Sequence, residues 1–86
     1  MNHSSEAQIK EVVLRVLNGI APEVDIDSIH PNRDLRDQID IDSVDFLNFV
    51  IGLHNNFGID IPDADIPKLA SLNSCIGYLL SRVKQS

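Results

Sequence analysis

Ser43 stands among three acids, Asp40, Asp42 and Asp45, in the stretch DIDSVDFLNFVIGL of residues 40–53. A hydroxyl so placed could be a nucleophile, a metal ligand, the acceptor of a group, or simply a helix cap. A hydrolytic nucleophile needs a base within hydrogen-bond reach, and no G-x-S-x-G elbow surrounds this serine. The nearest histidine in sequence is His54. On a helix rising 1.5 Å per residue it lies about 16 Å from Ser43, which excludes a Ser–His pair on this segment. Calcium fares no better. An EF-hand loop starting at Asp40 needs an oxygen ligand where Val44 stands, glycine at position 45 and glutamate at position 51, which is Ile51. No Cys/His spacing suits zinc, so no metal is expected. The single cysteine, Cys75, cannot close an internal disulfide and falls in an apolar helical pattern, which reads as a buried, inert thiol.

The elements that must position Ser43 are helices. Residues 5–20 carry Ile9, Val12, Val13, Val16, Leu17 and Ile20 on one helical face, with Ser5 and Gln8 spaced like a capping box. Gly19 weakens the last turn and Pro22 ends it. Residues 21–41 show no clean period. A loop this long is unusual inside a compact domain, and its scattered apolar residues predict that it is tacked to the core through a short helical turn. The next helix spans 43–57, with Asp42 as N-cap and Gly58 as its stop. After an extended Ile61-Pro62 link, residues 63–70 have room for a brief helix, with Pro67 expected in its first turn. Ser71 then caps a helix over 72–84, whose core face is Leu72, Cys75, Ile76, Leu79, Leu80 and Val83. No strand candidate and no internal repeat emerges. The expected fold is all-α: a small four-helix bundle of three main helices and one short one, with a long first loop, in a single domain over residues 1–86.

Composition narrows the function. Eighty-six residues without tryptophan can build one mainly aliphatic core, but hardly a wide, rigid-walled active site. Thirteen acids against seven Lys and Arg, the latter scattered, argue against nucleic acid, which needs clustered cations. An acidic surface suits basic protein partners, or simply keeps the chain in solution. No basic-then-apolar leader opens the chain and no run approaches a membrane span, so a cytoplasmic location is expected.

One helix carries more apolar surface than a bundle of this size can bury. Along 43–57, Phe46, Phe49, Val50, Leu53 and Phe57 form a core stripe, while Val44, Leu47 and Ile51 form a second stripe rotated from it. Either that stripe is exposed for binding, or Leu35, Ile39 and Ile41 of the preceding loop fold over it. Ser43, taken alone, would be a cap or first-turn residue.

The stretch DIDSVDFLNFVIGLHNNFGIDIPDADI resembles the core of acyl carrier proteins. Asp42-Ser43-Val44-Asp45, Phe57 and Ile61-Pro62 take the places of that family's Asp-Ser-Leu motif, helix-ending Phe and Ile-Pro link without a gap. The likeness extends over essentially the whole chain. It implies a carrier, not an enzyme, with 4′-phosphopantetheine joined to Ser43 beside Asp42. It also implies a phosphopantetheinyl transferase (holo-synthase), acyl-loading enzymes, and synthases or acyltransferases as partners, meeting Asp40, Val44, Asp45, Leu47 and Ile51. The carrier is expected to be monomeric and to serve fatty acid, lipid or polyketide synthesis. The acyl chain would be sheltered by residues such as Phe46, Val50, Ile66, Leu69, Ile76 and Leu79.

The sequence departs from the family where acids usually line this helix. Asn48, His54, Asn55 and Asn56 occupy those places, leaving Asp45 as its only acid, and Val44 replaces a bulkier residue. A specialised carrier with dedicated partners is the expectation. Two alternatives stay open: an aminoacyl or peptidyl carrier of nonribosomal type, and an unmodified helical interaction module in which Ser43 is only a cap.

Overall fold

Helix starts in this chain are written by short polar side chains, and helix stops by glycine and proline. The computed structural model describes residues 6–84. It contains α1 (Glu6–Ile20), a 3-10 turn (Ile26–Ser28), α2 (Leu35–Gln38), α3 (Ser43–Phe57), a 3-10 helix (Asp63–Leu69) and α4 (Leu72–Lys84). No strand occurs among the described residues, only one isolated bridge between Asp34 and Ser71. The all-α bundle expected from the periodicity is therefore the observed fold. The Ser5–Gln8 cap lies partly outside the described residues.

The core is a single aliphatic and aromatic cluster. Ile9, Val13 and Leu17 of α1 meet Phe46, Phe49, Val50 and Leu53 of α3, and Leu72, Cys75, Ile76 and Leu79 of α4. Helix α1 packs against both α3 and α4, and the Asp63–Leu69 helix packs against α4. Val12 near the start of α1 shares a surface depression with Phe57 and Val83, at the ends of α3 and α4. α1 therefore runs antiparallel to both, and the chain between α1 and α3 stays at the end of the bundle where α3 begins. α1 and α3 approach closely at Gly52, where an added Cβ would lie 2.6 Å from Cγ1 of Val16. No polar or charged side chain is buried among the described residues. Burial pushes the Cys75 thiol up to about 12, which keeps it protonated and unreactive, as its apolar surroundings predicted.

The long connection holds two short helices rather than the one turn expected. Asp25 caps the first, accepting from the Asp27 N–H at 3.1 Å and the Ser28 hydroxyl at 2.9 Å. Asp34 caps α2 through the Arg36 N–H at 2.9 Å. Leu35 enters the core, while its N–H donates to the Ala70 carbonyl at 2.8 Å. Nearby, the Asn73 N–H donates to the Pro31 carbonyl at 2.9 Å, and the Asn73 side-chain amide donates to Asn32 at 2.6 Å. These bonds stitch the loop to the head of α4. Ser71 caps α4 as expected, its hydroxyl accepting from the Ser74 N–H at 3.2 Å.

Pro67 requires a correction. It does not lie in the first turn but inside the Asp63–Leu69 helix. The segment is a short 3-10 helix, not a regular α-helix, and it is bounded by bonds from the Asp65 N–H to the Pro62 carbonyl at 2.8 Å and from the Ala70 N–H to the Pro67 carbonyl at 3.3 Å. A helix this short loses little when proline withholds one donor.

Side-chain bonds tie this irregular helix to α4. Asp65 accepts from the Tyr78 hydroxyl at 2.7 Å and from Arg82 at 2.8 Å, and pairs with Lys68 at 3.2 Å. The Arg82 guanidinium stacks 4.8 Å from the Tyr78 ring centre. The hydrogen bond from Tyr78, then that from Lys68, hold the Asp65 carboxyl below its ordinary value of 3.8, against the opposing effect of burial. A carboxylate whose folded value is depressed stabilises the fold above its unfolded value, and loses that contribution as pH falls through the folded one. Acidification below about pH 4 is therefore expected to destabilise the wild type more steeply than Asp65→Asn. Denaturant midpoints measured down the acid limb for both proteins check this. Parallel curves would remove Asp65 from the linkage.

Candidate functional site at the head of α3

Ser43 is the first residue of α3, not its cap. The cap is Asp42, in extended backbone (φ −98°, ψ −173°), whose carboxylate accepts from the Asp45 N–H at 2.8 Å. The Asp45 carboxylate reaches back to the Asp42 N–H at 3.5 Å, closing a reciprocal capping box. The Asp42 carbonyl takes the first helical bond, from the Phe46 N–H at 3.0 Å. Ser43 is exposed, and its hydroxyl makes no hydrogen bond among the described residues. The commonest reason for a serine at a helix start is thus already met by its neighbours.

Two consequences follow for chemistry. Asp42 and Asp45 are committed to the backbone, so neither is a base aimed at the Ser43 oxygen. The hydroxyl is presented, not activated, and any reaction at it needs catalytic groups from elsewhere. The amides of Ser43 and Val44 belong to the first turn, which has no intrahelical carbonyl to offer them. They and the positive end of the helix would meet an anion carried on Ser43. This donor set fits a phosphodiester at Ser43: an accessible oxygen, unspent first-turn amides and no bonded group to displace.

The surroundings are strongly acidic. Asp37, Asp40 and Asp42 are exposed and Asp45 is half-buried. The Arg36 guanidinium, 3.7 Å from the Asp34 carboxylate, lies 5.1 Å from the centre of the Phe46 ring, one turn into α3. Farther along α3, Asn48, His54, Asn55 and Asn56 are exposed and carry no acid. His54 instead bonds through Nδ1 to the Ile59 carbonyl, which fixes the proton on that nitrogen and the ring against the chain reversal after Gly58 (φ 65°).

The second apolar stripe is open. Val44 is 65% exposed, Leu47 48% and Ile51 47%. The loop does not cover it. Leu35 is fully buried in the core, and Ile39 and Ile41 pack against that core instead. Val44, Leu47 and Ile51 are the exposed large hydrophobic residues among those described, and they run down α3 from beside Ser43.

Among the residues expected to line an acyl chain, Phe46, Val50, Leu69, Ile76 and Leu79 are buried and Ile66 packs partly buried against them. They form one contiguous group within the core, and two surface depressions, one lined by Val12, Phe57 and Val83 and the other by residues 23–29 and 38–40, lie elsewhere. One of those depressions, between residues 23–29 and 38–40, carries no periodic signal and sequence reasoning missed it. The Asp65–Tyr78–Arg82 cluster was also missed, because its members are far apart in the chain.

Residues 7–79 match the family model described as "Phosphopantetheine attachment site". Three curated relatives named "Acyl carrier protein" extend the comparison. One from Lactobacillus acidophilus is 36% identical over 59 residues, covering 69% of this chain and 74% of the relative. Another from Chlorobium phaeobacteroides is 32% identical over 78 residues, covering 91% and 99%. A third, from Desulforapulum autotrophicum, is 32% identical over 76 residues, covering 88% and 94%.

Proposed function

The chain belongs to the acyl carrier protein family, and from that premise we propose that Ser43 is the residue to which its 4′-phosphopantetheine is joined. The family carries that group covalently, so the question is which hydroxyl holds it. The observation that carries the assignment is the geometry at α3: an exposed, unbonded serine in a helix already capped by Asp42 and Asp45. Attachment is a substitution at phosphorus. The Ser43 oxygen bonds to the pantetheine-bearing phosphorus of coenzyme A, the phosphoanhydride bond breaks, and adenosine 3′,5′-bisphosphate leaves. The serine proton passes to a base of the transferase. Once joined, the group supplies a thiol that holds acyl chains as thioesters.

On this reading the 86 residues act as one cytoplasmic carrier domain without catalytic groups of its own. It serves a transferase, loading enzymes and synthases or acyltransferases of fatty acid, lipid or polyketide synthesis. Asp40 and Asp45 attract those enzymes at the serine end, while Val44, Leu47 and Ile51 supply apolar contact along α3. With the rest of the helix neutral, binding leans on apolar burial more than on charge, which suits a specialised carrier with dedicated partners. The same neutral surface is what favours the second reading, an aminoacyl or peptidyl carrier.

Intact mass after incubation with coenzyme A and a broad-specificity phosphopantetheinyl transferase tests the assignment. A gain of one phosphopantetheine is expected, mapped by fragmentation to Ser43. An unchanged mass, or an adduct elsewhere, refutes it. The stripe has its own test. Truncating both Leu47 and Ile51 to alanine removes apolar burial worth about 2 kcal/mol at a contact, so kcat/KM for the transfer is expected to fall at least tenfold. The unfolding midpoint should move little, since both side chains face solvent. Unchanged transfer kinetics would place the contact elsewhere.

A further inference from the structure

The open face of α3 carries a polar pattern as well as an apolar one. At about 100° per residue, Val44, Leu47, Asn48, Ile51 and Asn55 fall within one strip about 100° wide. All five are exposed. The helix's other polar side chains beyond Asp45 are occupied: Asn56 donates to the Gly52 carbonyl at 2.7 Å, and His54 bonds to the Ile59 carbonyl. Asn48 and Asn55 differ. Neither carboxamide makes a hydrogen bond among the described residues. A surface that covers the strip must satisfy both, or leave buried donors and acceptors unpaired at about 1–3 kcal/mol each. Lysine and arginine supply donors only, so a basic surface leaves the carboxamide N–H groups without an acceptor. Another carboxamide supplies both.

We propose that this strip is a self-recognition surface, covered in concentrated solution by α3 of a second copy lying antiparallel to it. The spacing is self-complementary. Asn48 and Asn55 stand seven residues apart, about 10 Å along the helix, and the point midway between them falls beside Ile51. A two-fold axis at that point, perpendicular to both helices, packs Ile51 on the same residue of the second copy. It also sets each Asn48 against Asn55 of the other copy, on one side of the seam, where two carboxamides exchange paired N–H···O bonds. Charge favours this arrangement over a parallel one. The acids crowd at the serine end of α3, and an antiparallel pair sends those ends apart. The two Asp45 residues then stand about 20 Å from each other along the seam, beyond the Debye length of about 10 Å at 0.1 M salt. Five side chains are far fewer than the roughly 20–30 residues a side of a stable interface, so the pair is transient, with a dissociation constant on the order of 0.1–1 mM. The monomer that the resemblance implies is then the dilute state. The pairing does not depend on what Ser43 carries, so the apo protein tests it.

Sedimentation equilibrium of the apo protein from about 20 μM to about 2 mM is the measurement. The weight-average mass is expected to rise from one chain toward two and no further. It should rise earlier at higher salt, because screening relieves the repulsion between two chains of net charge −6. Three variants of the exposed face, each checked for an unchanged melting curve, fix the surface and the register. Ile51→Glu should stay a monomer throughout. Asn48→Asp combined with Asn55→Asp should too, since it sets carboxylates face to face. Asn48→Asp combined with Asn55→Lys should pair again, because opposite charges then meet across the antiparallel seam, and salt should strengthen it less than the wild type. A wild type that remains one chain at about 2 mM overturns the proposal. So does association that survives Ile51→Glu, which belongs to another surface. Failure of the opposite-charge variant to pair while the wild type does removes the antiparallel register.

Discussion

Replacing Ser43 with alanine is expected to abolish attachment of phosphopantetheine while leaving the fold intact. The two effects separate because Ser43 has no structural duty. Its hydroxyl bonds to nothing described, it is exposed, and α3 is capped by the residue before it. Alanine is also the better helix former, so stability should stay within about 0.5 kcal/mol of wild type. Mass after conversion should show no adduct, and circular dichroism should show an unchanged melting curve. Asp42→Ala provides the contrast. It removes the acceptor of the Asp45 N–H and half of the capping box, a loss of about 1–2 kcal/mol. Ser43 remains there to be modified, on a frayed first turn. If Ser43→Ala still gains a phosphopantetheine, the assignment fails. If it instead unfolds the protein, the serine has a structural role that the geometry does not show.

The second large effect concerns packing. Gly52→Ala is expected to destabilise the protein by about 1–3 kcal/mol, because the new methyl would lie 2.6 Å from Cγ1 of Val16. Two terms oppose each other. Alanine gains up to about 1 kcal/mol over glycine in a helix interior, but carbon atoms prefer to stand about 3.5–4.0 Å apart. Val16 cannot easily turn away, since a β-branched residue in a helix has one strongly preferred rotamer. The helices must separate or strain, and packing wins. For a domain of this size the melting temperature should drop roughly 4–8 °C for each kcal/mol. Gly77→Ala is the control. Nothing lies within 4 Å of its added Cβ, so the same substitution in α4 should stabilise. Pairing Gly52→Ala with Val16→Ala should recover much of the loss, giving a coupling energy of the kind found between touching side chains. Equal melting shifts for Gly52→Ala and Gly77→Ala would show that the two helices yield without strain.

These two positions show how differently information is stored along the chain. The site was legible because its signals are local. Asp42, Ser43 and Asp45 lie within one helical turn, and a capping box is made by residues three apart. The same locality made α1, α3 and α4 readable from apolar spacing, Gly58 and Ser71. Pro67 was misplaced for a related reason. Its effect depends on whether the surrounding turns are tight or regular, which the residue itself does not announce.

What could not be read needed partners distant in sequence. Two apolar stripes on α3 were visible, but which one faces solvent was decided only when Leu35 entered the core and Ile39 and Ile41 packed against it. The 21–41 connection had no period because it is organised from outside itself, by the Ala70 carbonyl and the head of α4. Asp65 became a hub only when Tyr78 and Arg82 on the next helix came within reach. The sequence by itself determined the helices, their caps and the serine offered at one helix start, since hydrogen bonds and side-chain periodicity over three or four residues suffice for those. Only the tertiary structure decided which apolar face stays open and what lies beside the serine, because those depend on volumes and bonds contributed by residues dozens of positions away.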